Sequence, residues 1–545
     1  KLGSQYKNYD VQFSKNYTGE VSYSKLTKSI TVKATRNENA KADDGNVIAT
    51  LAVNIPSDLL EGDKFTYTVK SGKYETENGG YGTYSTSERS MPVKATYDVS
   101  CEPIVIGGAN GIIKVVNAEG KPAANVSVYL TSDNSLVGKT DENGQIVTDK
   151  FNTAAAEYSV YAKDENGLLS FRYKVYSFNP QGDADGLPYN VRFNAVDDST
   201  TQKNITWFSN PLVAEAQNLK YREVGSESWT TVTANSKQTQ FGTNGYDSVN
   251  INSVSISELK PGVTYEYIIG NDKKTTEVKT FTTDTVGRSD SKFFILGDIQ
   301  DPDKSNLKGI VEKLSKDNYN LGVQIGDAID QASDYTDWSD LGEIVGANML
   351  GSIDMINVMG NHEYYGDSDA SIASAIYNNP TTEAGTCYSK QYGNVYFAVI
   401  NFGENTDQIK AAAEWLKNDA AKSKATWKVL VSHQPPYYTN SVGGNAPVNK
   451  YLPAACEEAG IDVVFSGHDH SFARTNPLTG GKVDEDNGIV YYISGAIGSK
   501  RYPVSTKDEF DYNTIFNYMS EGFTASYLTV DSDKEKMTIN MYEYG

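Results

Sequence analysis

The sequence has few cysteines, few histidines and a deficit of positive charge for its length. Its 545 residues include 3 cysteines, and Cys101, Cys387 and Cys456 lie far apart in the chain. An odd number of widely spaced cysteines cannot form the disulfide framework of a small secreted scaffold. We therefore expect three free cysteines with structural roles.

Positive charge is outnumbered by negative charge. Lys and Arg total 49 residues and Asp and Glu total 70, which gives a net charge of −21 at pH 7. The phosphates of a nucleic acid duplex and the headgroups of an anionic bilayer repel such a chain. Duplex binding is therefore excluded.

No stretch approaches the roughly 18 uninterrupted apolar residues of a membrane-spanning helix, so we expect no transmembrane segment.

The chain is instead rich in residues typical of strands and turns, with 38 Tyr and 46 Gly. A length of 545 residues predicts about three to five domains. Short stretches that alternate at period two predict all-β sandwich modules at residues 1–102, 103–180 and 181–285. The composition favours a secreted or cell-surface bacterial protein. The N-terminal modules are candidates for contact with a cell-surface glycan or protein, and residues 1–102 carry no chemical signature.

Two of these modules resemble known β-sandwiches. Residues 103–180 contain short strands separated by turns at 119–122 and 141–144, and they are similar to carboxypeptidase regulatory domains. Residues 181–285 contain Trp207 in a predicted strand, the turn Pro261-Gly262 and a later strand with Tyr265. This arrangement resembles a fibronectin type III domain.

After Lys292 the pattern changes to strands that alternate with helices. An apolar run at 293–296 leads into Gly297-Asp298, and another run at 321–325 leads into Gly326-Asp327. The intervening segment predicts a helix whose apolar face has the spacing i, i+3, i+4, i+7. That face is formed by Leu307, Ile310, Val311 and Leu314. The unit has roughly the 30 residues of a βαβ motif, so both aspartates are predicted at the carboxyl ends of neighbouring parallel strands.

A second amphipathic helix is predicted from the apolar positions Ile409, Ala412, Ala413 and Leu416. Thr406 is predicted as its N-cap. Apolar runs at 429–431 and 463–465 lead to His433 and His468. Ligands of open α/β sheets bind at the carboxyl ends of strands, so these polar residues lie where a site is expected.

All four histidines of the chain lie in this last region. They are His362, His433, His468 and His470. Imidazoles combined with carboxylates after successive strands are typical of a site for divalent metal ions. The sequence therefore predicts a metal cluster that includes Asp298 and Asp327.

The order of the short motifs resembles the calcineurin-like metallophosphoesterases. The blocks are GD at 297–298, GD at 326–327, GNHE at 360–363, His433, and GHDH at 467–470. The resemblance covers residues 292–545 and implies an α/β domain with a β-sandwich core flanked by helices. The string GHDHSFAR at 467–474 and the preceding fibronectin-like module resemble the purple acid phosphatases within that superfamily.

The resemblance implies a dinuclear metal centre that hydrolyses phosphate esters. It implies that Asp327 bridges two divalent ions, which would be Mn, Zn or Fe. The same comparison assigns Asp298 and His470 to the first ion. It assigns Asn361, His433 and His468 to the second ion. Hydroxide held between the ions would attack phosphorus, and His362 would protonate the leaving oxygen as general acid.

Two positions depart from the family pattern. Gln300 replaces the histidine of the D-x-H block, so it would supply an amide oxygen to the first ion, a hydrogen bond or nothing. Asp330 lies where purple enzymes have a metal-binding tyrosine. Without that tyrosine we expect a colourless protein that favours divalent ions.

The identity of the substrate is left open by the sequence beyond a small phosphorylated molecule. Arg474 is a candidate for phosphate binding, although a structural role is at least as good an interpretation. Tyr364 and Tyr437 would either line a substrate groove or pack its rim. Phosphomonoesterase activity is favoured and phosphodiesterase activity is the alternative. A surface adhesin or carbohydrate-binding protein with a degenerate hydrolase domain is the hypothesis from another class.

Overall fold

The structure is a computed structural model in which the chain forms two units, Lys1–Ser177 and Phe178–Gly545. It describes residues 96–545 except 244, 349–352, 381–386, 402, 404, 440–445, 505–511 and 521–523. Before residue 96 it describes the strands given below.

The first unit consists of strands in the residues that the structure describes. Its strands are β1 (Tyr9–Phe13), β2 (Tyr17–Ser24), β3 (Ser29–Arg36), β4 (Ala49–Val53), β5 (Lys64–Tyr67), β6 (Gly72–Glu75), β7 (Tyr81–Tyr84), β8 (Arg89–Pro92), β9 (Tyr97–Cys101), β10 (Ile104–Val105), β11 (Gly111–Asn117), β12 (Ser127–Leu130), β13 (Leu136–Lys139), β14 (Gln145–Thr148), β15 (Ala156–Lys163) and β16 (Tyr173–Pro180). The prediction of an all-β N-terminal region is confirmed.

Residues 97–177 form two antiparallel sheets around one apolar core. One sheet has the order β14-β11-β9, and the other contains β13-β12-β15-β16. Val115 and Val128, one from each sheet, are completely buried in the shared core. Alternation along β11 produces this packing, because its inward residues are buried and its outward residues are exposed.

The second unit begins with another sandwich. Its strands are β17 (Tyr189–Asn194), β18 (Lys203–Ser209), β19 (Asn218–Glu223), β20 (Thr230–Thr233), β21 (Asn235–Phe241), β22 (Asp247–Ile256), β23 (Thr264–Gly270) and β24 (Lys279–Thr282). The sheets β21-β22-β18-β17 and β20-β19-β23-β24 enclose a core around Trp207, whose indole nitrogen donates to Gln217 Oε1 at 3.2 Å.

The remainder of the second unit alternates strands and helices. Its elements are β25 (Ser291–Leu296), α1 (Ser305–Leu314), β26 (Leu321–Gln324), α2 (Tyr335–Asn348), β27 (Asp354–Asn357), a 3₁₀ turn (His362–Tyr364), α3 (Ser371–Tyr377), β28 (Cys387–Tyr392), β29 (Val395–Ile400), α4 (Thr406–Ala420), β30 (Trp427–Ser432), α5 (Ala446–Ala459), β31 (Val463–Ser466), β32 (Phe472–Thr475), β33 (Leu478–Thr479), β34 (Lys482–Val483), β35 (Val490–Ser494), α6 (Tyr512–Ile515), β36 (Phe516–Ser520), β37 (Ala525–Ser532) and β38 (Met537–Tyr544).

Two mixed sheets face each other in this domain. One continues as β27-β26-β25-β37-β38, and the other has the order β28-β29-β30-β31-β35-β32-β36. Ile295 and Val323 of the first sheet share a core with Phe397 and Val431 of the second. Helices α1, α2 and α3 pack on the outer face of the first sheet through one apolar core. Helices α4 and α5 pack on the outer face of the second sheet through another. The predicted α/β fold, a β-sandwich flanked by helices, is confirmed.

The predicted helical faces are buried in α1 and α4, and β25 and β26 are parallel as predicted. The prediction of Thr406 as N-cap is wrong by one residue. Asn405 caps α4 because its extended backbone lets the side chain accept from the amides of Asp407 and Gln408. The backbone amide of Asn405 in turn donates to Gln408 Oε1 at 3.3 Å, which completes a capping box.

None of Cys101, Cys387 and Cys456 forms a disulfide bond in the described part of the chain, as predicted. Among the described residues, no helix has the length and apolar character that a membrane crossing demands.

The β17–β24 sandwich is joined through its backbone to the sheet that contains β27, β26 and β25. Strand β17 pairs in parallel with β27, with Asn194 opposite Met355. At the same junction Lys203 Nζ lies 2.9 Å from both carboxylate oxygens of Asp354, and both side chains are buried. The hydroxyl of Tyr392 also donates to Asp354, at 3.0 Å. This hydrogen-bonded ion pair fixes one sandwich against the other.

We expect Lys203→Met to destabilise the protein by about 3–5 kcal/mol, because it leaves the buried Asp354 carboxylate without its cation. Denaturant unfolding of the full chain measures the change. Lys260→Met is the matched control, because Lys260 pairs with Glu223 at the surface, and it should have a much smaller effect. Equal effects of the two variants would show that the buried pair does not stabilise the junction.

Candidate metal centre

The predicted ligands follow the ends of five strands, three parallel strands in the first sheet and two parallel strands in the second. Strands β25, β26 and β27 end just before Asp298, Asp327 and Asn361 in the first sheet. Strands β30 and β31 end just before His433 and His468 in the second sheet. The site therefore lies where the carboxyl ends of both sheets converge, and the buried strands fix its walls.

Glycines next to these strand ends allow the close packing. A Cβ on Gly360 would lie 2.2 Å from Asp327 Oδ1, and a Cβ on Gly467 would lie 2.4 Å from Asp298 Oδ1. No side chain can be accommodated at such distances, so the GNH and GH motifs need glycine because a carboxylate occupies the adjacent space.

Three of the predicted ligands have backbone angles that are uncommon for residues other than glycine. The φ angles are 53° for Asp327, 65° for His468 and 50° for His470. This left-handed region is sparsely populated because Cβ approaches the backbone there. Such residues persist where the surrounding structure holds them, often at functional sites. Here the sharp turns direct the side chains into one cluster.

The side chains form two groups that share Asp327. The first group is Asp298, Asp327 and His470, and the second is Asp327, His433 and His468. Within each group the candidate ligand atoms lie within 4.8 Å of one another. His470 Nε2 is 3.1 Å from Asp298 Oδ2, and His433 Nε2 is 3.3 Å from Asp327 Oδ2. The arrangement offers two adjacent positions for a cation.

Asn361 joins the second group through its amide oxygen. Oδ1 lies 3.2 Å from His433 Nε2, while Nδ2 donates to the hydroxyl of Tyr365 at 3.1 Å. The bond to Tyr365 therefore directs the oxygen, which is the donor atom a metal would use, towards the group.

Backbone carbonyls orient two of the imidazoles. His433 Nδ1 lies 3.1 Å from the carbonyl oxygen of Ile325, and His470 Nδ1 lies 2.9 Å from that of Lys500. When Nδ1 carries the proton and donates to these oxygens, the lone pair of Nε2 faces the carboxylates. Lone pairs of nitrogen and oxygen at about 3 Å repel one another unless a proton or a metal ion lies between them. The donor set therefore fits divalent ions.

The pKa shifts of the ligand side chains also indicate that positive charge stabilises this cluster. Burial by itself would raise the pKa of Asp327, but His433, His362 and His468 lower it well below its ordinary value. Burial lowers the pKa of His433, but the charge and hydrogen bond of Asp327, together with the charges of Asp298 and Glu363, outweigh burial and raise it to about 9. Burial lowers the pKa of His468 to about 4, with His433 adding to the effect.

Glu363 supports the site and was not singled out by the sequence analysis. Its buried carboxylate accepts from the backbone amides of Asp327, Ala328 and Gly360 at 2.6–2.9 Å. Burial and the nearby Asp327 charge raise the pKa of Glu363 to about 7, against the effect of these amides. The signal available in the sequence was its position directly after GNH.

Gln300 lies between the two carboxylate-bearing strand ends. Its Nε2 lies 3.0 Å from Asp327 Oδ2 and 2.8 Å from His470 Nε2, so the amide group donates to both. Of the three roles considered for Gln300, this geometry supports a hydrogen bond. A role as metal ligand stays a prediction.

His362 points one ring nitrogen into the site. Its Nδ1 lies 2.6 Å from the carbonyl oxygen of Asp330, and its Nε2 lies 3.9 Å from Asp327 Oδ2. The ring of Tyr365 covers it at a centroid distance of 4.4 Å. Asp330 is exposed and lies outside both metal-binding groups, although its Oδ1 is 3.4 Å from His362 Nδ1.

The three candidates for substrate binding lie in different surroundings. Arg474 contacts Asn517 at 3.4 Å and lies 5.9 Å from the centroid of the Tyr492 ring. Tyr364 packs against the core under α1 to α3. Tyr437 is buried in the other outer core, with its ring 4.7 Å from that of Tyr491. Both tyrosines therefore make packing contacts with an apolar core. The substrate-binding roles of Arg474, Tyr364 and Tyr437 stay predictions.

Comparison with known families agrees with this fold and site. Residues 291–472 match the family model described as calcineurin-like phosphoesterase. Residues 188–283 match the model for the purple acid phosphatase N-terminal domain. The chain therefore carries a calcineurin-like metallophosphoesterase domain preceded by a purple acid phosphatase N-terminal domain.

The chain is similar to several purple acid phosphatases of Arabidopsis thaliana. "Probable purple acid phosphatase 20" is 27% identical over 48% of this chain and 64% of that protein. "Purple acid phosphatase 17" is 26% identical over 33% of this chain and 57% of that protein. "Purple acid phosphatase 21" is 24% identical over 47% of this chain and 60% of that protein. The chain thus spans less than two thirds of the length of each of these relatives.

We expect Asp327→Asn to lose metal from both positions, because one substitution removes a charge that both groups share. Elemental analysis of protein purified without chelator measures the metal bound per chain. Asp330→Asn is the matched control, since it removes the same charge from an exposed residue outside both groups, and it should retain the wild-type content. Loss of a single ion in Asp327→Asn would show that Asp327 belongs to one group only.

Proposed function

We propose that this protein hydrolyses phosphate esters at a dinuclear metal centre and prefers phosphomonoesters. The observation that carries the proposal is the pair of ligand groups that share the buried carboxylate of Asp327. The purple acid phosphatase relatives support a phosphoric ester hydrolase and favour the monoester preference over the diester alternative. Intact ligand groups argue against a degenerate domain.

Each of the two divalent ions would be bound by its own set of residues, with one residue shared by both sets. We assign Asp298 and His470 to one ion, Asn361, His433 and His468 to the other, and Asp327 to both. The bound ions would supply an activated water and offset negative charge on the phosphoryl oxygens. Two carboxylates and three imidazoles match the preferences of Mn, Zn or Fe.

His362 is assigned the general acid. The carbonyl of Asp330 holds Nδ1, so the protonated ring directs its Nε2–H towards the site. Tyr365 covers one face of the ring and limits its rotation. As the ester bond breaks, Nε2 gives its proton to the leaving oxygen, which would otherwise depart as an alkoxide. The imidazole is left neutral and recovers a proton from water.

We expect His362→Ala to slow hydrolysis of alkyl phosphates by about 100-fold or more, since their leaving oxygens need a proton. Aryl phosphates with acidic leaving groups should lose less than about tenfold. The measurement is kcat/KM across a series of leaving groups. His433→Ala is the contrasting variant, because loss of a ligand should slow all members of the series alike. A uniform loss in His362→Ala would remove His362 from the role of acid.

We further propose a secreted or cell-surface location in a bacterium, with the N-terminal modules contacting a glycan or a protein there. The support is the abundance of Tyr, Asn, Ser, Thr and Gly in the strand modules of this chain. Fractionation of the natural source with an antibody to the full chain tests the location. Protein found only in the cytosolic fraction would contradict it.

A further inference from the structure

A lysine at the edge of the metal centre belongs to neither ligand group, and the family resemblance assigns no role to it. Lys500 lies in the loop that follows β35. That loop is held to the centre by its backbone, because the amide of Ile497 donates to the Asp298 carbonyl at 2.7 Å. The carbonyl of Lys500 itself accepts from His470 Nδ1 at 2.9 Å. Two predicted metal ligands therefore determine where Lys500 lies.

The ammonium of Lys500 is turned towards the ligand groups. Its Nζ lies 3.4 Å from Gln300 Oε1, and the other amide atom of Gln300 is 3.0 Å from Asp327 Oδ2. A single amide group thus separates the cation from the shared carboxylate. The ring of Tyr502 lies on another side, with its centroid 5.5 Å from Nζ.

The charge of Lys500 is not neutralised by a direct ion pair among the described residues. No carboxylate of the described residues lies within 4.0 Å of Lys500 Nζ. Asp327 and Asp330 act on it only at longer range. The residue is exposed, so a solute that enters the centre can reach the ammonium.

A cation in this position distinguishes ligands by their charge. A phosphate monoester carries up to two negative charges at neutral pH because its second pKa is about 6. A diester carries one. Coulomb attraction scales with the product of the charges, so the same ammonium attracts a dianion about twice as strongly as a monoanion at equal distance. An ammonium also donates up to three hydrogen bonds, and a monoester offers it an additional unesterified oxygen.

We propose that Lys500 is the substrate-binding residue that gives this site its preference for phosphate monoesters over diesters. The inference rests on the proposed function and names the residue behind the monoester preference. Gln300 holds the ammonium in place, where the family pattern would put a histidine. The replacement of the family's histidine by Gln300 is then linked to the presence of Lys500, because the amide oxygen of Gln300 accepts a hydrogen bond from the Lys500 ammonium.

The test compares Lys500→Gln with wild-type enzyme on an aryl phosphate monoester and the matching methyl aryl diester. Loss of a charged hydrogen bond should lower kcat/KM for the monoester by about 10- to 100-fold. For the diester the loss should be smaller, about 3- to 10-fold, because half the attraction energy corresponds to the square root of the fold-change. Lys500→Arg keeps the charge and should keep most of the preference. Lys482→Gln, an exposed lysine of β34, is the surface-charge control and should leave the ratio unchanged.

Binding gives a second readout that does not depend on turnover. Calorimetry of the metal-loaded protein should show inorganic phosphate binding more weakly to Lys500→Gln by about tenfold or more. Dimethyl phosphate, a monoanion, should bind more weakly by only about threefold. Metal content and thermal stability of the variant should match wild type, because the ammonium is exposed and outside both ligand groups.

The outcomes separate the two claims. Equal losses for monoester and diester, or unchanged rates and phosphate affinity, would overturn the role of Lys500 while leaving the hydrolase intact. Lower metal content in Lys500→Gln would show that Lys500 supports the ligands and does not bind substrate. A wild-type enzyme that hydrolyses neither ester would contradict the proposed function, and the binding comparison would still decide whether Lys500 recognises the charge of the dianion.

Discussion

The buried carboxylate of Asp327 is the constraint on which the site depends. It lies at the end of β26 with three imidazoles close enough to hold its pKa well below the ordinary value. A carboxylate has two oxygens, and here Oδ2 faces His433 and Gln300 while Oδ1 accepts from the amide of His362. Both ligand groups therefore meet at one residue, and a change there alters both.

The surrounding backbone is shaped to hold that carboxylate. Glu363 bonds to the amides of Asp327 and Gly360, which ties the ends of β26 and β27 together. The absence of a Cβ at Gly360 leaves space for Asp327. The cost of left-handed backbone at Asp327 is offset by these contacts. The β17–β24 sandwich adds to this framework, because β17 pairs with β27 and Lys203 neutralises Asp354 at the start of that strand.

Local patterns were sufficient for the parts of the fold that carry a short-range signal. The apolar runs before Asp298 and Asp327 are the strands β25 and β26, and the spacing of Leu307 to Leu314 is the buried face of α1. The structure brings the predicted ligands together because a run of buried strand determines where the next polar residue lies. An N-cap depends on one residue's backbone angles, so the prediction of Thr406 in place of Asn405 was wrong by one position.

Contacts between distant segments could not be read from the sequence. Lys500 lies far along the chain from Gln300, and no spacing rule joins the loop after β35 to the end of β25. The burial of Tyr437 follows from its contact with Tyr491, which belongs to another strand. Glu363 follows His362 directly, but its role depends on amides from two different loops. Such features need the tertiary structure because each one joins residues that only folding brings together.

The central claim is that one carboxylate holds two metal ions. Anomalous diffraction from crystals grown with Mn²⁺ tests it most directly, because each bound ion gives a separate peak. We predict two peaks that both contact Asp327, one also bound by Asp298 and His470, and the other by Asn361, His433 and His468. A single peak, or two peaks of which only one contacts Asp327, would contradict the account.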